Sequence, residues 1–190
     1  DRLVLADVMG PGLQAKAGAI AHAAVMRAVN DTANPADGPG RFLEMLSGVM
    51  RRDPVLAQSI VTAAVVDRRE DGALEIASAG HPTPVVVAAS GARALDVGGP
   101  LLGLVDAAEY RAQRLTLSRD EILVLVTDGV EPQLLAGGGC LPDGLVATIA
   151  ANGSAGLSVA ADAAERWARA THGPSPPDDW SILLLAAART

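Results

Sequence analysis

A chain of 190 residues, 49% of them hydrophobic and 19% charged, is long enough for one domain with a sizeable core and too apolar for disorder. Its formal net charge of -7 argues against nonspecific nucleic-acid binding and against attraction to an anionic membrane surface. Aromatic residues make up only 2%, so the core is expected to be built from Ala, Val, Leu and Ile.

No apolar run approaches the roughly 20 residues needed to cross a bilayer. The one cysteine, Cys140, excludes an internal disulfide and fits a reducing, cytoplasmic setting. No signal peptide and no initiator Met are present, and the first residues read as the approach to a strand. The expectation is a single domain over 1–190 that belongs to a longer chain.

In chain order, residues 3–7 read as a strand that stops on Asp7 before the turn Gly10-Pro11-Gly12. Residues 13–33 read as a helix, with Leu13, Ala17, Ile20, Ala24 and Val25 at helical spacing. Asn34-Pro35 ends it and 37–40 form a loop. A second helix over 41–52 places Phe42, Met45, Leu46 and Val49 on one face. From Ser59 the pattern turns to strands: 59–66, then a turn through Asp71-Gly72, then a return strand through Leu74, Ile76 and Ser78. Further strands are expected at 84–89, 110–117 and 121–127. Residues 133–142 read as a glycine-rich loop, 143–151 and 155–170 as helices, and 180–187 as the last strand. Strands and helices do not alternate regularly, so a doubly wound sheet is disfavoured. The pattern suits an α+β layered sandwich with helices packed outside antiparallel sheets.

Three stretches set an acid beside a strongly apolar strand: Leu3 to Asp7, Leu123 to Asp128, and Asp178-Asp179 before Ile182 to Leu185. One such acid is an ordinary turn or cap residue. Together they could meet at one edge of a buried sheet, where their mutual repulsion would be relieved by a divalent cation. Oxygen donors with no His or Cys nearby point to Mg²⁺ or Mn²⁺ rather than Zn²⁺.

Asp7-Val8-Met9-Gly10-Pro11-Gly12 resembles the Asp-x-x-Gly-x-Gly motif of the metal-dependent protein phosphatase 2C superfamily (PPM), in its bacterial SpoIIE/RsbU-type serine phosphatase branch. The resemblance continues in family order through Ala79-Gly80-His81-Pro82, Gly99-Pro100-Leu101-Leu102-Gly103-Leu104, Leu125 to Glu131, and Asp178-Asp179-Trp180-Ser181. It covers nearly the whole chain.

The resemblance implies an αββα sandwich and a two-metal hydrolase acting on phosphoserine or phosphothreonine. It implies that Asp7 bridges two Mn²⁺ or Mg²⁺ ions, that the Val8 carbonyl holds one of them, and that Asp128 and Asp178 complete the first site. Asp179 and Gly129 would stand just outside the ligand set. A metal-bridging water would attack phosphorus in line. The implied substrate is a phosphorylated anti-sigma-factor antagonist, with a sensor or receiver domain upstream; a homodimer is left open. Two departures motivate a rival reading, a degenerate domain that binds its partner without turnover. Pro11 stands where His is common in the branch, and the acidic strand that the family places before the first motif, which helps hold the second metal, is not in this sequence.

The remaining candidates have plainer readings. His81 is expected to make a structural hydrogen bond at a strand corner, His22 to pack or face solvent, and His172 to be solvated in a linker. Cys140 reads as an unpaired thiol, 137–139 as a flap, and Trp180 as an anchor for the last strand.

Overall fold

The computed structural model describes residues 1–9, 12–34, 36–131, 141–174, 176 and 178–187; of 12–17 it describes the backbone only. The expectations for Pro11, Cys140 and 137–139 lie outside the described residues. Among the described residues the order is β1 (Arg2–Met9), α1 (Gly12–Thr32), α2 (Pro39–Arg52), β2 (Ile60–Arg68), β3 (Leu74–Ala79), β4 (Val85–Ala88), β5 (Gly91–Ala94), β6 (Ala112–Leu115), β7 (Ile122–Val126), α3 (Asp143–Gly153), α4 (Leu157–His172) and β8 (Ile182–Ala186). The strands form two four-stranded sheets, ordered β1-β2-β3-β6 and β5-β4-β7-β8. The class is α+β, as expected. By its contacts the chain divides into two compact units, the first made of Asp1–Arg69, Glu75–His81 and Asp96–Arg114, the second of Glu70–Leu74, Pro82–Leu95 and Leu115–Thr190.

In the first unit β1 pairs antiparallel with β2 from Arg2↔Asp67 to Met9↔Ile60. Successive side chains alternate between faces. Ala6 and Val8 of β1, with Val61, Ala63 and Val65 of β2, pack into a core shared with Phe42, Leu43, Leu46 and Met50 of α2. Pro39 starts α2, where its fixed φ and missing N–H do no harm, and Arg51 and Arg52 close it against the helix dipole. A buried ion pair ties the start of β1: Arg2 Nε and Nη2 both donate to the Asp67 carboxylate at 2.7 Å. The Arg2 guanidinium also lies 4.4 Å from the centre of the Phe42 ring.

Several expectations shift here. β1 runs on to Met9, so Asp7 lies inside a paired strand and does not end it. β2 extends through Arg68 because Asp67 is held in register by Arg2. Ile20 is 74% exposed and Ala24 is also exposed, while Ala21, Val25 and Met26 pack against the core. Alanine and valine surround α1 so densely that spacing alone does not select its buried face. On α2 the buried face is Phe42, Leu43, Leu46 and Met50, with Val49 exposed.

In the second unit β7 is buried throughout and pairs antiparallel with β4 on one side and β8 on the other. Its continuous apolar run is that of a central strand. Val124 and Val126 pack with Leu145 and Ile149 of α3 and Ala160 and Ala164 of α4. The unexpected strand is β5, a hairpin partner of β4 whose Gly-Ala-Arg-Ala residues are all exposed and carry no hydrophobic signal. His172 belongs to the last turn of α4 and not to a solvated linker. Its ring meets Trp167 edge-on at 6.3 Å, and its Nε2 is buried with no hydrogen-bond partner among the described residues. No helix among the described residues is long and apolar enough to cross a membrane.

Candidate metal centre

The two sheets divide the acids between them. Asp7 belongs to β1 of the first sheet; Asp128 follows β7, and Asp178 and Asp179 precede β8, both in the second. A common edge of one sheet, expected for all three, is therefore not what the chain builds.

In the first unit Asp7 sits opposite Thr62, and Val8 opposite Val61. Both Asp7 and Val8 are half-buried. The carboxylate leaves the face of β1 opposite Ala6 and Val8, and so faces away from the α2 core. His81 sits at the expected strand corner, where its Nδ1 is 2.8 Å from Thr62 Oγ1 in a buried hydrogen bond.

In the second unit Val126 pairs with Ile182, and the ladder extends one step past the strands. Thr127 N–H donates to the Ser181 carbonyl at 3.1 Å, and Ser181 N–H donates to Thr127 Oγ1 at 2.8 Å. That clamp brings the Asp128 turn beside the Asp178-Asp179 turn. A Cβ at Gly129 would fall 2.2 Å from the Asp179 carbonyl oxygen, so only glycine fits where the two chains cross. Asp128 opens a 3₁₀ turn over Asp128–Val130 and its carbonyl accepts the Glu131 N–H at 2.9 Å. Asp178 Oδ1 accepts the Asp179 N–H at 2.8 Å. Asp128 is half-buried, and Asp178 and Asp179 are exposed. Trp180 is partly buried against the second core, as an anchor for β8 would be.

The donors suit a hard divalent cation in kind. Among the described residues Asp128, Asp178 and Asp179 make no ion pair with an Arg or His. Among the described residues no three of His, Cys, Asp and Glu stand close enough to form a ready-made site. Thr127, Ser181 and Thr62 were not among the sequence candidates. A polar β-branched residue at the end of an apolar strand, directly before an acid, is the signal that could have found Thr127.

The family model for stage II sporulation protein E (SpoIIE) matches residues 2–188. Against the curated proteins the sequence finds no match. Among solved structures the chain is similar to the SiaA-PP2C domain of Pseudomonas aeruginosa, with TM-score 0.79 and 19% identity over 98% of this chain and 75% of that one. It is similar to the RsbU and RsbW domains of Rv1364c from Mycobacterium tuberculosis, with TM-score 0.72 and 21% identity; all of this chain is covered but only 53% of that chain, so it spans about half of it. A third likeness, with TM-score 0.66 and 12% identity over 96% of this chain and 86% of the other, is to the catalytic domain of the serine/threonine protein phosphatase PstP in complex with two manganese ions. The chain belongs to the SpoIIE family and has the fold of the phosphatase 2C-like phosphatases.

Proposed function

We propose that this chain is a Mn²⁺- or Mg²⁺-dependent serine/threonine protein phosphatase. The observation that carries the reading is the clamped meeting of the Asp128-Gly129 turn with the Asp178-Asp179 turn, which brings two acid-bearing stretches of backbone side by side. By the resemblance, Asp7 and the Val8 carbonyl are ligands as well. In the binding role, Asp7, Asp128 and Asp178 hold the cations, while Asp179 and Gly129 fix the loop that presents Asp178. When bound, the cations supply Lewis acidity and charge neutralisation for attack of water on phosphorus. The protein's part is to orient oxygen donors and to keep a nucleophilic side chain unnecessary.

The substrate class follows from the resemblance: a phosphorylated protein, specifically an antagonist of an anti-sigma factor. The likeness to a structure that joins RsbU and RsbW domains supports such a regulatory partner. Two ions are supported by the manganese-bound PstP neighbour. The protein is placed in the cytoplasm on this reading.

The test is hydrolysis of an aryl phosphate and of a phosphoserine protein, with Mn²⁺ and with chelator. Activity is expected with Mn²⁺, is lost on chelation, and falls on the order of a hundredfold or more in Asp128→Asn. Activity that ignores chelator, or survives in Asp128→Asn, would sink the reading. Tight binding of the phosphoprotein with no turnover would favour the partner-binding module instead.

A further inference from the structure

We propose that Thr127 is a positioning residue for the two acid-bearing turns of the second unit, with its hydroxyl as the latch between them. The inference rests on the reading of Asp128 and Asp178 as metal ligands. In an antiparallel ladder, the residues of a hydrogen-bonded pair exchange two main-chain bonds. Thr127 and Ser181 stand where the next pair would fall after Val126↔Ile182. One of the two bonds is made, from Thr127 N–H to the Ser181 carbonyl at 3.1 Å. In place of the other, Ser181 N–H donates to Thr127 Oγ1 at 2.8 Å. The side chain has taken over an acceptor role that the main chain would ordinarily fill.

That exchange releases the Thr127 carbonyl. It accepts the Val130 N–H at 3.1 Å and so opens the 3₁₀ turn over Asp128–Val130. The hydroxyl thus lets β7 turn at once into the Asp128 loop while keeping hold of the stretch that carries Asp178 and Asp179. A threonine at the head of a helical turn commonly caps it, yet this hydroxyl makes no cap bond. It is committed to the neighbouring stretch of chain.

The surroundings sharpen the assignment. β7 is apolar and buried throughout, and Thr127 continues it at 5% exposure. Valine has nearly the same shape and would bury a methyl group where threonine buries a hydroxyl. Without the hydroxyl there are two ways to settle the backbone. Either Ser181 N–H loses its acceptor, or the Thr127 carbonyl turns back to it and gives up the 3₁₀ turn. Each shifts the Asp128 turn against the Asp178 turn. The crossing of Gly129 with the Asp179 backbone leaves little room to absorb such a shift. Groups outside a ligand set that fix the direction of its members typically alter metal affinity ten- to hundredfold when removed.

The experiment measures Mn²⁺ affinity by electron paramagnetic resonance titration of the full chain, alongside the melting temperature without metal. Thr127→Val removes the acceptor at nearly constant shape; Thr127→Ser keeps it. A ten- to hundredfold loss of affinity is expected in Thr127→Val, with recovery in Thr127→Ser. A lowered melting temperature with unchanged Mn²⁺ affinity in Thr127→Val would overturn the proposal and leave the bond purely structural. If Thr127→Val does not fold, hydrogen exchange in the unaltered chain decides the matter. By reciprocity, a bond that supports the cation is supported by it. Saturation with Mg²⁺ should then slow exchange of the Ser181 N–H about tenfold or more relative to the Leu183 N–H, two residues further into β8. Equal slowing of the two overturns the proposal. Asp128→Asn separates it from the reading beneath it. If that variant binds Mn²⁺ as the wild type does, the ligand assignment fails and the positioning role with it. If it binds weakly while Thr127→Val binds as the wild type does, only the positioning role fails.

Discussion

The two units share a plan and hold their acids in opposite ways. Among the described residues each has a four-stranded sheet and two α-helices. Asp7 lies within β1, two residues short of its end, so the ladder with β2 orients it. Asp128, Asp178 and Asp179 lie beyond the ends of β7 and β8, where turns and one side-chain clamp orient them. The first unit spends a buried ion pair at the mouth of its sheet; the second relies on an apolar central strand and alanine-lined helices. A strand-interior acid inherits its direction from register, whereas a strand-end acid needs local devices, and those devices are where single changes do most harm to a site.

The largest expected effect tests the first half of that contrast. Asp67→Ala leaves the buried Arg2 guanidinium without its carboxylate and is expected to cost about 3–5 kcal/mol in urea denaturation. A loss below about 1 kcal/mol would mean that the clamp does not hold β1. Leu145→Ala probes the second core, where Leu145 is fully buried; a loss of about 3 kcal/mol is expected, with no counterpart in charge or salt dependence. Gly129→Ala sharpens the comparison at the site. The added Cβ must push back the Asp179 backbone, at a cost of about 1–3 kcal/mol. Misplacing the Asp178 turn should lower phosphatase activity on the order of a hundredfold, read at saturating Mn²⁺. Activity equal to wild type would show that the crossing of the two turns is not needed for the site.

The smallest effect is on the acid limb of stability, with one carboxyl in each unit. Asp53 is held below the usual carboxylate range by the backbone N–H groups of Leu56 and Val55. Glu121 is held low by the Ser118 N–H and then by Arg93. A lowered folded value means that the contribution is present above the unfolded value, about 4, and is lost as pH falls through the folded one. Asp53→Asn and Glu121→Gln should each flatten the loss of stability on acidification below about pH 4, measured by denaturation at a series of pH values. An unchanged profile in both would remove these caps from the account. On the alkaline side, burial pushes the Tyr110 phenol up. Stability from keeping it neutral is present below its unfolded value of about 10 and declines above it.

Much was legible in the linear chain because it is local. An apolar run, an acid and a glycine-bearing turn are written in neighbouring residues, so the strand motifs around Asp7, Asp128 and Asp178 could be read before any fold. Helices α2, α3 and α4 came within a few residues of their observed bounds, since Pro39, Gly153 and Gly173 punctuate the backbone directly. The strand-corner hydrogen bond of His81 was also expected, though not its partner.

The tertiary structure alone decided three things. Which face of α1 is buried depends on what it packs against, since alanine offers the same surface on every side. β5 exists because β4 lends it a register, not because Gly-Ala-Arg-Ala prefers to be a strand. The division of the acids between two sheets, and the hydrogen bond of Thr62 with His81, arise from pairings between residues far apart in sequence. Hydrophobic pattern records that a strand will be buried; it does not record its neighbour, because pairing is settled by the joint packing of all strands.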